Sequence, residues 1–461
     1  MSNFTLQPEE HVLSTLEHDG SRRWLHPKLS KGRFLHRRRI VAWFLIAIFT
    51  LVPFIKVGGK PLILLDIPAR QFTILGFTFL PTDTLLLAIF LVGLLLTIFL
   101  FTALFGRVWC GWACPQTVYM EFVFRPIERF FEGTAGRGGV AKKTAPWRSV
   151  GKYAAFFAVS FYLANTFLAY FVGVEELLKW VRQSPVQHPI PFLVMAFVTC
   201  AMIFDFCFFR EQLCIIACPY GRFQSVLLDQ NSLIVAYDEK RGEPRGKPSR
   251  RGNPLLPIVG DCVDCGNCVT TCPTGIDIRK GLQMECIHCT QCIDACNVVM
   301  KKLGREPNLI RFSSQARDRG GQGGLVRART LVYPLMLLGI VAAFFTVLHN
   351  KKSFDVIILR EPGIPFSIAD DGSVRNMVRV KLTNRSDDTV TFTLTPLEPA
   401  GTTLHVHEAE LLLQPRQTHE FHVGVLVDRS VFKSGKSQLM LRVENNKQDS
   451  RQIAYRLVGP F

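Results

Sequence analysis

No cysteine precedes Cys110 or follows Cys296, so long stretches at both ends of this 461-residue chain cannot take part in disulfide bonds. All 14 cysteines are confined to the middle of the chain, which argues against a small secreted fold held together by disulfides. Cysteines clustered at metal-ligand spacing instead favour a reducing compartment, here the cytoplasmic side of a membrane.

Acidic residues are also scarce, with 37 Asp and Glu against 54 Lys and Arg. The resulting formal charge of +17 is unevenly distributed, because residues 350–461 hold 15 basic and 13 acidic residues, a net of +2. The excess flanks apolar segments, which is typical of membrane-adjacent charge and not of a nucleic-acid-binding patch. It includes Arg37, Arg38, Arg39, Lys142, Lys143, Arg245, Lys247, Arg250 and Arg251.

Long apolar runs predict a membrane protein, since a spanning helix needs about 20 apolar residues. Five segments qualify: 40–57, 84–105, 153–174, 190–209 and 330–348. The first 39 residues are polar and lack a cleavage pattern, so we expect no cleavable signal peptide. Loops 106–150 and 210–329 are rich in Lys and Arg, whereas loops 58–83 and 175–189 are poor in them. The positive-inside rule therefore predicts a cytoplasmic N-terminus, five helices and a C-terminus outside.

Eight of the cysteines form two runs with the same spacing. The first is Cys262-x2-Cys265-x2-Cys268-x3-Cys272-Pro273, and the second is Cys286-x2-Cys289-x2-Cys292-x3-Cys296. Such runs ligate paired [4Fe–4S] clusters, and the fourth Cys of each run then ligates the other cluster. This predicts one cluster on Cys262, Cys265, Cys268 and Cys296 and another on Cys272, Cys286, Cys289 and Cys292. Structural zinc is the alternative, but it uses two separated Cys pairs. Asn297 stands where a second Pro might follow Cys296.

Four further cysteines form two Cys-x3-Cys-Pro motifs, each after an apolar segment. They are Cys110 and Cys114 in WCGWACPQ, and Cys214 and Cys218 in CIIACPY. If helical, each pair would lie one turn apart on one face, at the cytoplasmic end of its helix. Four thiolates there suit Cu(I) or another thiophilic centre, or form redox-active dithiols. Simple packing of small apolar Cys side chains is the alternative.

Several single residues remain open between function and packing. Cys200, Cys207 and Cys214 are spaced seven residues apart and could line one stripe of a helix. Asp205 is an ionisable residue near the end of an apolar segment, where it could have a functional role or pair with Arg210. His405 and His407 would share a strand face, where exposed histidines are commoner than copper ligands. His288, inside the second run, is expected to tune a cluster through hydrogen bonding and not to ligate iron.

The remaining segments predict separate domains. Residues 241–254 and 313–324 are rich in Gly, Pro and Arg or in polar residues, so they predict flexible linkers around a ferredoxin-like insert at about 255–312. Beyond the last apolar segment, Val374–Leu382 and Thr389–Leu394 flank a turn signal at 384–388, and short strands continue to the end. They predict a small immunoglobulin-like sandwich without a disulfide. The predicted divisions are 1–39, 40–209, 210–329, 330–348 and 350–461.

Taken in order, WCGWACPQ, FREQLCIIACPYGRFQS, the paired cluster runs, a last apolar helix and an outer β domain resemble the CcoG/FixG/RdxA family of cytochrome c oxidase accessory proteins. The NapH and NosR groups are more loosely similar through the two Cys-x3-Cys-Pro motifs. The resemblance implies a bacterial inner-membrane protein that reduces Cu(II) to Cu(I) for assembly of a cbb-type oxidase. It also implies partners: a cytoplasmic electron donor, and copper-delivery and oxidase-assembly proteins.

The residues themselves favour an electron-transfer reductase without naming copper. In the expected path, a cytoplasmic donor reduces one cluster, the electron crosses to the second cluster, and it then reaches a thiol site of Cys110, Cys114, Cys214 and Cys218. A quinol-linked electron-transfer subunit and a non-catalytic copper-binding scaffold are the alternatives. The expected architecture is a five-helix transmembrane bundle with a cytoplasmic ferredoxin-like insert and a periplasmic immunoglobulin-like sandwich.

Overall fold

The computed structural model describes residues 15, 21–22, 24–80, 83–133, 145–246, 260–321, 328–350, 352–369, 371–406, 411–447 and 449–460. The chain forms two compact units. The first comprises residues 1–79 and 88–341, and the second comprises residues 80–87 and 342–461.

Four helices among the described residues are long and apolar enough to cross a membrane. They are Thr84–Phe105, Pro146–Val172, Pro189–Phe209 and Ala328–His349. These correspond to four of the five predicted segments. The first predicted segment, 40–57, lies in α1 (Arg33–Leu51) only as far as Leu51. The amino-terminal half of this helix carries four arginines, of which Arg38 is fully buried in protein. A five-helix bundle therefore stays a prediction.

Short helices lie between the apolar ones because Pro and Gly interrupt the chain repeatedly. The helices of the chain are numbered in order. After α1 they are α2 Thr84–Phe105, α3 Val108–Trp112, α4 Pro115–Tyr119, α5 Arg125–Glu132, α6 Pro146–Val172, α7 Val174–Trp180, α8 Pro189–Phe204, α9 Pro219–Leu227, α10 Glu239–Gly242, α11 Asn267–Thr270, α12 Gln291–Lys302, α13 Gln315–Asp318 and α14 Ala328–His349. Three π-helical turns join some of them: Met120–Phe124, Asp205–Phe209 and Leu213–Ala217. Such turns are frequent at functional sites.

The region between α1 and α2 contains strands that the sequence did not predict. They are β1 Lys56–Val57, β2 Lys60–Pro61, β3 Ile63–Asp66, β4 Gln71–Ile74 and β5 Phe77–Phe79. The strands β3, β4 and β5 form an antiparallel meander. Further along, β6 Ile234–Tyr237 pairs antiparallel with β7 Ile310–Ser313. One strand precedes the two cysteine runs in the chain and the other follows them.

The cysteine-rich region is hydrogen-bonded at two points to the segment at and just before the start of α1. The N–H groups of Phe34 and Leu35, at the start of α1, donate to the carboxylate of Asp294 on α12. Lys28 N–H donates to the Thr270 carbonyl. Parts of both predicted linkers, 247–254 and 322–324, lie outside the described residues.

The second unit is a sandwich of two antiparallel sheets around an apolar core, so the predicted β domain is present. One sheet has the order β12–β14–β10–β8, with β9 also on β10, and the other has the order β13–β11–β15–β16. Buried side chains alternate along β10 with more exposed ones, as a one-faced strand requires. The strands are β8 Phe354–Arg360, β9 Ser367–Ile368, β10 Val374–Asn384, β11 Val390–Glu398, β12 Thr403–Val406, β13 Leu411–Leu413, β14 Thr418–Val427, β15 Lys436–Asn445 and β16 Ser450–Val458.

Candidate iron–sulfur and thiol site

The eight cysteines of the two runs line two neighbouring cavities. One cavity, of about 350 Å³ including the part open to solvent, is lined by the sulfur-bearing residues Cys262, Cys265, Cys268 and Cys296. The other, of about 340 Å³, is lined by Cys272, Cys286, Cys289 and Cys292, and Cys268 also reaches it. The fourth cysteine of each run thus lies in the cavity of the other run. This crossed arrangement is the one that paired [4Fe–4S] sites use.

The two runs share an unusual backbone. Asp264 and His288, each just before the second Cys, have φ of +50° and +52°, and Gly266 and Thr290, each just after it, have φ of +65° and +62°. Left-handed residues of this kind turn backbone N–H groups inward and make concavities that bind anions, including iron–sulfur centres. The residues present therefore fit two [4Fe–4S] clusters. Asn297 stays within α12, where its side chain hydrogen-bonds to Asn308 and no second Pro is needed.

The two Cys-x3-Cys-Pro motifs have similar backbones, in which the first cysteine is helical and the second is extended. The two cysteines of a motif therefore do not share the helical face that the spacing predicted. Cys110 lies in α3, and Cys114 is in extended backbone at the start of α4. Cys214 lies in a π-helical turn, and Cys218 is in extended backbone at the start of α9. Each motif breaks its helix because Pro restricts the preceding residue to extended conformations and then favours the first position of a new helix. The prediction of one face was therefore wrong.

The motifs nevertheless converge. Burial raises the pKa of Cys110 to about 12, and nearby Cys114 and Cys218 add to the rise while Arg107 opposes it. Burial also raises the pKa of Cys214, with further contributions from Cys114, Cys110 and Cys218. All four sulfur atoms are thus within electrostatic reach of one another. Burial raises the pKa of Cys114 as well, so Cys110, Cys114 and Cys214 are neutral thiols without a metal, and the Cys110 thiol donates to Gln224 Oε1 at 3.0 Å.

The first motif is clamped onto the second cysteine run. Arg107 N–H donates to His288 Nδ1 at 3.2 Å, and Trp112 Nε1 donates to the His288 carbonyl at 3.3 Å. Between these two contacts, a β-carbon built on Gly111 would lie 2.4 Å from the Ile287 carbonyl oxygen. Cys110, Ile287 and Cys289 pack in one buried cluster with Tyr220 against it. One of the thiol motifs and a cysteine of the second cavity therefore meet directly.

His288 accepts a hydrogen bond from the Arg107 backbone N–H, and its expected role in tuning a cluster stays a prediction. Burial lowers its pKa to about 3, and the charge of Arg107 adds to the effect. The imidazole is therefore neutral, and its Nδ1 is an acceptor. Its position in the run is that of Asp264 in the first run, which is exposed and pairs with Arg279.

A buried ion network, which the sequence analysis missed, holds the second motif in place. Arg210 donates from Nη1 and Nη2 to the two carboxylate oxygens of Glu128, at 3.1 and 2.9 Å. Glu211 accepts from Arg22, and Arg125 pairs with Glu121. Arg210 has φ +52°, so it turns the chain sharply between two π-helical turns. The letters FREQ just before Cys214 were the available signal, because consecutive charges beside an apolar run must be paired when buried.

Of the remaining candidates, Cys200 and Cys207 are not brought to the thiol site, whereas Asp205 borders it through Gln116, which follows Cys114 by two residues. The apolar helix ends at Phe209 and the chain turns at Arg210, so Cys200 and Cys207 do not share a continuous stripe with Cys214. Cys200 is exposed, and Cys207 packs against a core of Phe124 and its neighbours. Asp205 accepts from Gln116 and not from the Arg210 side chain. His405 is exposed on β12, and His407 lies outside the described residues.

One other group has the spacing of a metal site. Ligand atoms of His26, Glu128 and Glu132 lie within 4.8 Å of one another. Each carboxylate already has a cation, since Glu128 pairs with Arg210 and Glu132 accepts from Lys152 at 2.6 Å. We therefore interpret this group as part of the ion network.

Three family models match the chain. A 4Fe-4S dicluster domain matches residues 209–315, a 4Fe-4S binding domain matches residues 87–133, and an IG-like fold at the C-terminus of FixG matches residues 344–460. The last two ranges contain the first thiol motif and the sandwich, respectively. The predicted immunoglobulin-like domain is thereby confirmed.

Whole-chain relatives point the same way. Protein RdxA of Cereibacter sphaeroides is 34% identical over 82% of this chain and 83% of its own length. Nitrogen fixation protein FixG of Rhizobium meliloti is 30% identical over 94% and 92%, and protein RdxB of Cereibacter sphaeroides is 32% identical over 84% and 85%. The chain is therefore a member of the FixG/RdxA family, a membrane protein of the iron–sulfur electron-transfer class.

Proposed function

We propose that this protein reduces Cu(II) to Cu(I) at a thiol site made by Cys110, Cys114, Cys214 and Cys218, and that the copper serves assembly of a cbb-type oxidase. The observation that carries the proposal is the clamp between WCGW and the second cysteine run. It sets Cys110 beside Cys289, so that a thiol site and an electron-carrying site are neighbours. Two [4Fe–4S] clusters, held by the ligand sets predicted above, would supply one-electron storage.

The chain's own residues suggest a direction. Cys265 is exposed, whereas Cys286 and Cys289 are buried. A soluble cytoplasmic donor can therefore approach the first cavity, and the second cavity is the one that borders the thiol motifs. We propose that electrons arrive beside Cys265 and leave beside Cys289.

The thiols favour the product of the reaction. Cu(I) is softer than Cu(II) and prefers thiolate ligands, so binding at this site makes copper easier to reduce. Cys110, Cys114 and Cys214 are neutral before copper binds because burial raises the pKa of each thiol, so each of them that ligates copper must release its proton. Gln224 can follow this change, because its Oε1 accepts from the neutral Cys110 thiol and its Nε2 is buried without a partner among the described residues. A turned amide would present Nε2–H to the thiolate.

Membrane placement completes the proposal. The apolar helices would lie in a bacterial inner membrane, with the cysteine-rich region in the cytoplasm and the sandwich in the periplasm. The sandwich would dock copper-delivery or oxidase-assembly proteins. The names of RdxA, RdxB and FixG do not mention copper, so the copper step rests on the thiol chemistry and on the family resemblance.

The test is an anaerobic single-turnover experiment on the purified protein with its iron. The protein is reduced, freed of reductant and mixed with Cu(II), while visible absorbance follows the iron–sulfur centres and a chelator reports Cu(I). We expect one Cu(I) for each electron lost. Cys114→Ser and Cys218→Ser should abolish Cu(I) formation and retain iron, and Cys200→Ser, an exposed cysteine away from the motifs, should behave as wild type.

Three results would contradict the proposal. Unchanged Cu(I) formation in Cys114→Ser and Cys218→Ser would remove the thiols from the reaction. Iron–sulfur centres that stay reduced beside Cu(II) would favour the quinol-linked alternative, which quinone analogues then test. Copper binding without any turnover would favour a scaffold.

A further inference from the structure

Two arginines are buried beside the second cavity without a carboxylate partner. Arg38 is 0% exposed and Arg107 is 5% exposed. Burying a guanidinium costs several kcal/mol unless a negative charge compensates it. Within the described part of the chain, neither arginine forms an ion pair with Asp or Glu, and the Arg38 guanidinium lies 5.5 Å from the centre of the Phe122 ring. No carboxylate therefore compensates either charge, and a nearby anion of another kind would do so.

The hydrogen bonds of these arginines show which N–H groups remain. Arg38 donates from Nε to the Gly111 carbonyl at 2.9 Å, and its Nη1 and Nη2 are buried without an acceptor among the described residues. Arg107 donates from Nη2 to the Gly221 carbonyl at 2.8 Å, and the same residues offer no acceptor to its buried Nε and Nη1. Each guanidinium is therefore fixed by one backbone carbonyl and has two nitrogens left to face something else.

The neighbourhood identifies what they face. Arg38 is bonded to the Gly111 carbonyl, and Gly111 lies directly against the backbone of Cys289. The backbone N–H of Arg107 donates to His288 Nδ1, within the second cysteine run. The nearby carboxylate of Glu121 is paired with Arg125. Asp294, on the same helix as Cys292, accepts from the backbone N–H groups of α1.

The first cavity is different. Its arginine, Arg279, donates from Nε and Nη2 to the carboxylate of Asp277, at 2.8 and 2.7 Å, and from Nη1 to Asp264. Two carboxylates thus neutralise one guanidinium. The two cavities have similar cysteine sets and similar backbones but opposite local charge.

We propose that Arg38 and Arg107 direct their free N–H groups at the anionic sulfur of the cluster held by Cys272, Cys286, Cys289 and Cys292, and that they make it the stronger electron acceptor of the two. The inference rests on the proposed electron-transfer function. Reduction adds one negative charge to a cluster, and a nearby positive charge favours that form. Electrons would then move downhill from the first cavity toward Cys110.

The test is a potentiometric titration of the purified, iron-loaded protein, with each cluster followed by electron paramagnetic resonance and no copper present. In Arg38→Gln and Arg107→Gln we expect the reduction equilibrium of one cluster to weaken about tenfold, which is about 59 mV for one electron. The other cluster should not change. Arg311→Gln is the matched control, because Arg311 is a partly exposed arginine of the same region that pairs with Asp238.

Charge-retaining variants separate electrostatics from packing. Arg38→Lys and Arg107→Lys should stay within about twofold of the wild-type equilibrium, since an ammonium keeps the positive charge. The proposal would be overturned if the Lys variants weakened the reduction equilibrium as much as the Gln variants do. It would also be overturned if both Gln variants kept the wild-type potentials. If the Gln variants lose iron, the Lys variants decide: retained iron at wild-type potential supports it, and loss of iron there too would overturn it in favour of a purely structural role. Since copper is absent, a shift here stands even if copper reduction fails.

Discussion

Gly111 and Cys289 approach so closely that a β-carbon built on Gly111 would lie 2.9 Å from the Cys289 α-carbon and 2.8 Å from its backbone nitrogen. Real β-carbons do not come this near to backbone atoms, so only glycine allows the approach. The glycine of WCGW is therefore a requirement of contact between two parts of the chain, and not of local turn geometry.

The first prediction concerns this contact. Gly111→Ala should move α3 away from the Ile287–Cys289 segment and slow electron delivery to Cu(II) at least about tenfold, because a shift of about 1 Å in a reacting geometry has effects of this order or larger. Stopped-flow reoxidation of the reduced protein by Cu(II) measures the rate. Gly339→Ala, in the middle of α14 with no atom within 4 Å of the added carbon, is the control. Equal rates in both variants would show that the contact does not carry electrons.

The second prediction concerns the left-handed residue His288. Asn tolerates φ near +50° and Val does not, so His288→Asn should retain the cluster iron and His288→Val should lose about half of it. Iron and acid-labile sulfide analysis of the purified variants measures the loss. Full iron content in His288→Val would mean that the backbone of the second run does not need this conformation.

The third prediction concerns the buried ion network beneath Cys214. Arg210→Ala leaves Glu128 buried without its bidentate partner, so we expect a loss of about 3–5 kcal/mol in stability. Lys179→Ala removes the exposed partner of Glu176 and should leave the stability almost unchanged, because exposed ion pairs contribute little. Thermal or denaturant unfolding in detergent compares them. Similar losses in the two variants would contradict the importance assigned to the network.

The fourth prediction follows from the raised pKa values of Cys110 and Cys214. Both thiols are protonated at neutral pH in the metal-free protein, so Cu(I) binding must displace their protons and should strengthen as pH rises. The apparent affinity should increase about tenfold per pH unit for each proton released, between about pH 6.5 and 8.5. Competition with a Cu(I) chelator measures it. Cys110→Ser should reduce the slope, and a pH-independent affinity in the wild type would contradict thiol ligation.

The fifth prediction concerns sidedness. A reporter enzyme that is active only in the periplasm should be active when fused after residue 355 and inactive when fused after residue 320. The physical reason is the excess of Lys and Arg in the loop 210–329, which disfavours its translocation. An inactive fusion at residue 355 would contradict the periplasmic sandwich. An active fusion at residue 320 would contradict the cytoplasmic placement of the cysteine runs.

Local pattern was enough for the features that depend on spacing alone. The crossed grouping of the eight cysteines agrees with the two cavities because the ligand spacing of such runs follows from the size of the group they hold. The β-sandwich could be predicted since alternation along strands such as β10 follows from burying one face. The apolar helices α2, α6, α8 and α14 were recognisable from length and hydropathy.

Predictions from residue spacing were wrong where the backbone departs from regular helical geometry. Cys110 and Cys114 were expected on one helical face, but Pro115 forces Cys114 into extended backbone. The same happens at Cys218 before Pro219. The expected stripe through Cys200 and Cys207 ends because Arg210 turns the chain with a positive φ, and the same residue pairs with Glu128, which is distant in sequence.

The sequence by itself thus determined which residues can carry electrons and bind soft metals, because ligand type and spacing are local properties. Only the tertiary structure decided which of them meet. Arg38, Arg107, Gly111 and His288 come from three separate parts of the chain, and their burial around Cys289 depends on long-range packing. The sequence does not show which N–H groups of the two arginines lack an acceptor, because the pairing of a charge depends on which atoms lie close to it in the folded chain.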